Sequence, residues 1–256
     1  MKTTDNSAIK TDFLIERINQ NQNFQSVDIN EWAFRKIGKT DEKLNILELC
    51  SGTGKQTEYL LELFPNATIS CLDISLDAIN TVKHNFSDRH SRMSFFVEGI
   101  DDFFEGNKDR FDLVFCSYGL YYSKNIEFVL NSIYNALNKN GRLIVMGPFG
   151  KNNNQLFDTL IKLNVPIPQP VIHSSSKFMY EDVLGFAVNN YESVHIYTTQ
   201  NRIEWKTVES VMSYWKSSTF FNESKENDFQ QIVANEIGKN AVFVNDKHIM
   251  LLIAIK

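Results

Sequence analysis

The sequence predicts an α/β fold, a three-layer sandwich in which helices cover both faces of a mostly parallel sheet. Three observations carry that expectation. Short apolar runs of strand length alternate with helical patterns from Leu44 onward. The runs are nearly continuous in Ile, Leu, Val and Phe, as in strands buried on both faces. A chain of 256 residues with 43% apolar content can bury one large core with a modest cap.

In order along the chain, LNILELC, ATISCLDI, MSFFVEG, FDLVFCSY and GRLIVMG read as five strands. KQTEYLLELF, DAINTVKHNF and NIEFVLNSIYNALNK lie between them with helical spacing. Strands alternating with helices imply parallel crossovers. The polar, Asn-rich segment before Leu44 has amphipathic stretches at Phe13 to Ile18 and Ile29 to Ile37, read as leading helices. After Gly150 come a helical NQLFDTLIKLN, a loop VPIPQPVIH broken by Pro166, Pro168 and Pro170, and a helical FMYEDVLGFAVNN. ESVHIYTT with its continuation RIEW, and KHIMLLIAI, read as two further strands. They flank the helices VESVMSYWKSS, capped by Thr207, and NDFQQIVANEI.

Composition narrows the function. Lys plus Arg is 26 against 31 Asp plus Glu, a net charge of −5, and no basic run tracks a phosphate backbone, so nucleic acid is not an expected partner. No apolar run reaches membrane-spanning or signal length, and a cytoplasmic protein without membrane contact is expected. Cys50, Cys71 and Cys116 lie in or beside apolar strands, as reduced core thiols do. His84, His90, His195 and His248 have no metal-ligand spacing, and no metal is expected.

The most informative segment is ILELCSGTGKQTEYL. A strand is expected to end at Glu48, Gly52 and Gly54 follow, and a helix starts near Lys55. Such a turn lets a ligand approach the backbone beyond the carboxyl ends of the strands. The next strand ends in Asp73, nineteen residues after Gly54, where a carboxylate can accept two ribose hydroxyls. The third small residue of a dinucleotide fingerprint is replaced by Thr57.

ELCSGTG followed by LDIS resembles the first two motifs of class I S-adenosylmethionine (SAM)-dependent methyltransferases of the small-molecule type. FDLVFCSYGLYY is similar to the family's fourth strand and following loop, and ALNKNGRLIVMG to its helix and fifth strand. The two late strands resemble the reversed hairpin that closes its seven-stranded sheet. The resemblance thus implies a Rossmann-like sandwich whose mostly parallel sheet has an antiparallel C-terminal strand, with a helical lid. It divides the chain into an N-terminal helical cap at 1–43, a SAM-binding core at 44–150, and substrate-side helices with the last two strands at 151–256.

Carried onto this sequence, the resemblance implies that Glu48 orders the methionine amino end, Gly52 and Gly54 line the cofactor path, Asp73 holds the ribose and Ile74 flanks the adenine. Ile100, Asp101 and Asp102 follow the third strand, where the adenine edge is read; Asp101 is slightly favoured over Asp102 as the acid. Ser117 and Tyr118 lie under the methionine and sulfonium. Cys50 replaces the family's usual first glycine and brings a side chain to the cofactor, and Ile100 replaces the acid of the frequent Gly-Asp pair.

The implied reaction is an in-line displacement driven mainly by positioning, which releases S-adenosylhomocysteine (SAH). A base is needed only where the acceptor loses a proton, and none is assigned. Tyr118, Tyr121 and Tyr122 are the candidates to meet a small-molecule acceptor, with cation–π attraction available to a sulfonium, and His173 is a further candidate contact. Tyr214, Trp215 and Phe220 are expected to build the lid. SYGLYY lacks the Asn/Asp-Pro-Pro-aromatic motif of base methyltransferases. The alternatives are a SAM protein that binds or cyclises its cofactor without methylating, and a nicotinamide-dependent dehydrogenase.

Overall fold

The computed structural model describes residues 11–106 and 110–256, so residues 1–10 of the expected cap lie outside the described residues. Seven strands, β1 (Asn45–Leu49), β2 (Thr68–Asp73), β3 (Met93–Val97), β4 (Phe111–Ser117), β5 (Leu137–Pro148), β6 (Ser193–Trp205) and β7 (Phe243–Ile255), form one sheet. Its order is β3-β2-β1-β4-β5-β7-β6. The β2/β3, β1/β2, β1/β4 and β4/β5 pairs are parallel, and the C-terminal strands run antiparallel. From β1 the chain winds outward through β2 to β3, then returns to β4 on the other side. The crevice beyond the carboxyl ends of β1 and β4 is therefore the topological switch point.

Sequence dictates this sheet directly. Ile46, Leu47 and Leu49 in β1, and Leu113, Val114 and Cys116 in β4, have no exposed surface, as expected where helices cover both faces. Asn45 to Leu49 pair in register with Thr68 to Leu72, so Leu49 and Leu72 end side by side and Asp73 projects one residue farther. The helix α3 (Lys55–Leu63) starts directly after Gly54, and α4 (Leu76–Asn85) starts from Ser75, whose hydroxyl accepts the Ala78 N–H.

The chain forms two compact units. The first comprises 30–147, 178–198 and 250–256; the second is drawn from 1–29, 148–177 and 199–249. Each of β6 and β7 supplies residues to both. The first unit includes α2 (Ile29–Ile37) from Asn30 onward, α3, α4, α5 (Ile100–Gly106), α6 (Ile126–Ala136) and α9 (Gly185–Asn190). The second contains α1 (Thr11–Phe24), α7 (Asn154–Lys162), α8 (Gln169–Ser176), α10 (Val208–Lys216) and α11 (Glu226–Asn240). Its core gathers Leu156, Leu160, Trp205, Trp215, Phe229 and Val233, with Trp215 and Phe229 rings 4.3 Å apart. Tyr214 and Trp215 belong to this core and Phe220 packs against it. Thr207 accepts the Ser210 N–H at 3.3 Å and caps α10 as expected.

Three local expectations need correction. The segment VPIPQPVIH is not all loop: its last five residues begin α8, with Pro170 in the first turn, where a missing N–H costs nothing. His173 thus sits on a helix. The helix expected through Lys139 ends at Ala136 and β5 begins at Leu137, with a register irregularity opposite Phe111/Leu113. The helical FMYEDVLGFAVNN includes a π-helical turn at Met179–Leu184. Among the described residues no helix is long and apolar enough to cross a membrane.

Candidate active site

The site is built from the carboxyl ends of β1, β2 and β4. Asp73 closes β2 with one carboxylate oxygen taking the Gly52 N–H at 2.8 Å and the other the Ser75 N–H at 2.9 Å. It therefore ties the turn after β1 to the turn after β2. Each carboxylate oxygen keeps acceptor capacity beyond its one backbone donor. Burial raises the Asp73 pKa, and the N–H groups of Ser75, Gly52 and Ile74 oppose that rise.

Beside this carboxylate lies an apolar shelf. Ile74 is 63% exposed, Leu76 57% and Val97 47%. The adjacent ends of β2 and β3 and the first residue of α4 thus present large aliphatic side chains to solvent. Gly54 (φ 87°) is fixed both by its left-handed backbone and by space: a Cβ there would lie 2.8 Å from the Phe86 ring. The buried hydroxyls of Ser51 and Ser117, at the ends of β1 and β4, have no hydrogen-bond partner among the described residues.

Cys50 and Tyr118, both with φ 55°, hold left-handed backbone that non-glycine residues rarely adopt. At Cys50 the backbone takes a shape that glycine adopts freely, and a side chain is added to it. Its bulk is directed at Gly119: a Cβ on Gly119 would lie 2.4 Å from Cys50 Cβ, 2.6 Å from its Sγ and 3.1 Å from Cys116 Sγ. Gly119 thus supplies the space that Cys50 takes. A hydrogen bond with Cys116 and burial push the Cys50 thiol well above its ordinary range, so it stays protonated.

Glu48 has 1% exposure and its carboxylate is engaged inside the protein. The Thr57 hydroxyl donates to it at 2.6 Å and the Cys71 thiol at 3.7 Å. Glu48 thereby anchors the first turn of α3. Burial pushes its carboxyl up to about 8, the donors from Thr57 and Cys71 pulling the other way. The folded protein consequently holds a proton that an unfolded chain releases near 4.5. The stability this proton provides is fully present below that value and lost as pH rises through about 8. In chemical denaturation between those limits, the wild type should lose about 1.4 kcal/mol per pH unit relative to Glu48→Gln. Parallel slopes for the two proteins would contradict a protonated Glu48.

Of the two acids after β3, Asp101 is committed to structure. It accepts from Ser123 Oγ at 2.7 Å, from the Asn125 N–H at 3.1 Å and from the Lys124 N–H at 3.2 Å. Burial opposes its ionisation, but these donors prevail and hold its carboxyl below the usual range. Asp101 so fastens the tyrosine turn, whose Tyr122 N–H bonds Gly119 O at 3.0 Å. Asp102 is exposed, and the position of a Cβ on Gly99 lies 3.0 Å from its Oδ2 and 3.9 Å from Ile74 Cδ1. Ile100 is buried. The Tyr121 and Tyr122 rings lie 4.8 Å apart, tilted at 57°, and Tyr121 meets Phe178 edge-on at 5.8 Å. All these residues belong to the first unit; His173 is on α8 of the second.

Residues 46–141 match a family model described as a methyltransferase domain. This stretch is similar to the methyltransferase domain that the family model describes. Its span runs from β1 into β5 and so contains the crevice, Asp73 and the tyrosine turn. The chain is 34% identical over 116 residues to malonyl-[acyl-carrier protein] O-methyltransferase 2 of Ilyobacter polytropus, covering 45% of this chain and 43% of that one. It is 27% identical over 177 residues to malonyl-[acyl-carrier protein] O-methyltransferase 1 of the same organism, covering 69% and 62%. Against these two relatives the chain spans about half their length. Among solved structures, the YcgJ protein of Bacillus subtilis aligns with a TM-score of 0.61 at 11% identity, over 89% of this chain and 97% of that one. Phosphoethanolamine N-methyltransferase 2 of Haemonchus contortus, solved with phosphomonomethylethanolamine and SAH, aligns at 0.53 and 13% identity, over 89% and 52%. These structural likenesses, both under 25% identity, show the Rossmann-like fold.

Neither Asp101's three donors nor the exchange of space between Cys50 and Gly119 follows from local pattern. The only signal for the first is a Ser and an Asn flanking the tyrosine turn, which are residues that favour tight turns. For the second it is a glycine two residues after the strand end at Ser117.

Proposed function

We propose that this chain transfers the methyl group of SAM to a small-molecule acceptor. The observation that carries the reading is the exposed Ile74, Leu76 and Val97 shelf beside an Asp73 carboxylate with acceptor capacity to spare. An apolar face next to a hydroxyl-accepting carboxylate matches an adenosyl group. When bound, SAM supplies a methyl group on a sulfonium, with a neutral thioether as its leaving group.

The chain's own residues then divide the work. Asp73 accepts the ribose hydroxyls while keeping the Gly52 turn in place. Ile74, Leu76 and Val97 cover the adenine face, and Asp102 offers the acid at its edge. Ser51, Ser117 and the turn at Gly52 to Gly54 face the methionine end. Glu48 acts through the turn it holds by way of Thr57, so it is a positioning residue. Tyr118, Tyr121 and Tyr122 exclude water and present aromatic faces to the acceptor, on a turn fastened by Asp101. In this reading residues 44–150 serve the cofactor and 151–256 the acceptor. The names of the curated relatives extend the acceptor class to acyl groups carried on a protein.

The test is incubation with SAM and a panel of free and carrier-bound acids, amines and phenols, followed by mass spectrometry. The expected result is SAH together with one product heavier by a methylene. Methylthioadenosine in place of SAH would indicate cofactor cyclisation, and binding without turnover of any acceptor would reduce the chain to a SAM-binding module.

A further inference from the structure

The sheet ends on two edge strands, β3 and β6, and the two are unlike. An edge strand leaves a row of backbone N–H and C=O groups open to pairing, and proteins close that row with short strands, charged side chains or proline. β3 is five residues long. β6 runs for thirteen residues, from Ser193 to Trp205. Its later part, 199–205, lies in the second unit and is covered there: the Ser26 N–H donates to the Arg202 carbonyl at 3.0 Å, the Arg202 N–H donates to Ser26 Oγ at 2.8 Å, and Gln25 bridges to Ile203. Its earlier part, 193–198, belongs to the first unit. Among the described residues no backbone hydrogen bond from outside the sheet reaches that stretch.

The sequence does nothing to close this open stretch. From Ser193 to Asn201 it reads SVHIYTTQN, with no Asp, Glu, Lys, Arg, Pro or Gly. Val194, Ile196, Tyr197 and Thr198 are β-branched or aromatic, the side chains that suit a pleated strand. Ile196, at the middle of the open stretch, is 43% exposed. Side chains alternate along a strand, so Val194, Ile196 and Thr198 share one face of β6 and His195 and Tyr197 the other. The Lys36 ammonium of α2 lies 5.5 Å from the Tyr197 ring centre, a contact with that second face.

We infer that residues 194–198 pair antiparallel with the same stretch of a second copy of this chain, about a two-fold axis at Ile196. A strand laid antiparallel on its own copy makes an isologous contact, in which each residue meets the one equally far beyond the axis. Centred on Ile196, this register sets Ile196 opposite itself, Val194 opposite Thr198 and His195 opposite Tyr197. Each pair is β-branched or aromatic, the classes that stabilise antiparallel neighbours, and no like charges meet. The lack of charge also selects the occupant: an acidic or basic segment would find no counter-charge here, whereas a second copy matches the stretch at every position. Toward Arg202 the edge is already taken by Ser26, which keeps the ladder short and the contact reversible. β6 lies three strands from β4 in the sheet, so the inference is independent of the methyl-transfer reading.

The experiment is sedimentation equilibrium of the full chain over a range of concentrations, for the wild type and for Ile196→Lys. The expected result is a reversible monomer–dimer equilibrium whose dissociation constant rises about tenfold or more in Ile196→Lys, where two ammonium groups would face each other, with SAM affinity unchanged. Cysteine cross-linking reads the register. In the inferred pairing the two copies of residue 196 have Cα atoms about 4.5 or 5.5 Å apart, within the span of a disulfide. Ile196→Cys treated with oxidised glutathione should therefore give a covalent dimer, whereas His195→Cys should cross-link to Tyr197→Cys and not to itself. A wild type that is monomeric at every concentration, a dimer that Ile196→Lys leaves intact, or His195→Cys cross-linking to itself as readily as Ile196→Cys would each overturn the inference. A monomer that dimerises only once residues 2–10 are removed would assign the edge to that segment and overturn it likewise.

Discussion

Replacing Asp73 by alanine should weaken SAM binding at least about 100-fold while leaving the fold cooperative. Two contributions combine. The carboxylate supplies hydrogen bonds to the ribose hydroxyls, and bonds to a charged group contribute about 1.5–3 kcal/mol each, so the two together correspond to a factor of 10² or more. It also holds the Gly52 and Ser75 N–H groups, so its loss releases both turns that border the crevice. Calorimetry with SAM and a denaturation curve on the same sample separate the two effects. Asp73→Asn keeps an oxygen acceptor and should fall between wild type and alanine. Wild-type affinity in Asp73→Ala would remove the ribose role.

The second large effect concerns the contact between Cys50 and Gly119. Adding one methyl at Gly119 puts a Cβ 2.4 Å from Cys50 Cβ, a contact that cannot be relieved by rotating a flexible side-chain end. Overpacking of this kind costs about 1–3 kcal/mol, and here it displaces the turn after β1 that borders the cofactor crevice. Gly119→Ala should therefore lower both stability and SAM affinity. Cys50→Gly should restore both, because it removes the clashing atoms and suits the φ of 55° at that position. Stability and affinity measured for both single variants and the double form the test. Additive losses in the double variant would show that the two positions do not share one space.

Much of this architecture is legible in the sequence. Strands buried on both faces leave nearly unbroken apolar runs, so LNILELC and FDLVFCSY declare themselves without an alignment. Thr207 marks its helix by a local rule. Asp73 and the glycine turn are legible for the same reason: strand end, turn and acid lie within one crossover. What is not legible depends on contacts distant in sequence or on competing local rules. Three prolines in VPIPQP argue against a helix, yet the last of them sits where a helix tolerates it, and α8 begins there. The choice between Asp101 and Asp102 turns on Ser123, Lys124 and Asn125, some twenty residues away. Glu48 reads as a ligand-facing acid by motif, but the α3 hydroxyl of Thr57 and the β2 thiol of Cys71 occupy its carboxylate. Lys247 looks like an ordinary polar residue of an alternating strand until Asn153 and Tyr214 are found around it.

The account stands on one property of the first unit: the turn after β1, with Asp73 and the aliphatic shelf, holds an adenosyl sulfonium. Equilibrium titration of the full chain with SAM, with NADH in a parallel cell, measures this directly. Saturable one-site binding of SAM with no response to NADH is the predicted result. Saturable NADH binding with no response to SAM, or silence with both, would contradict it.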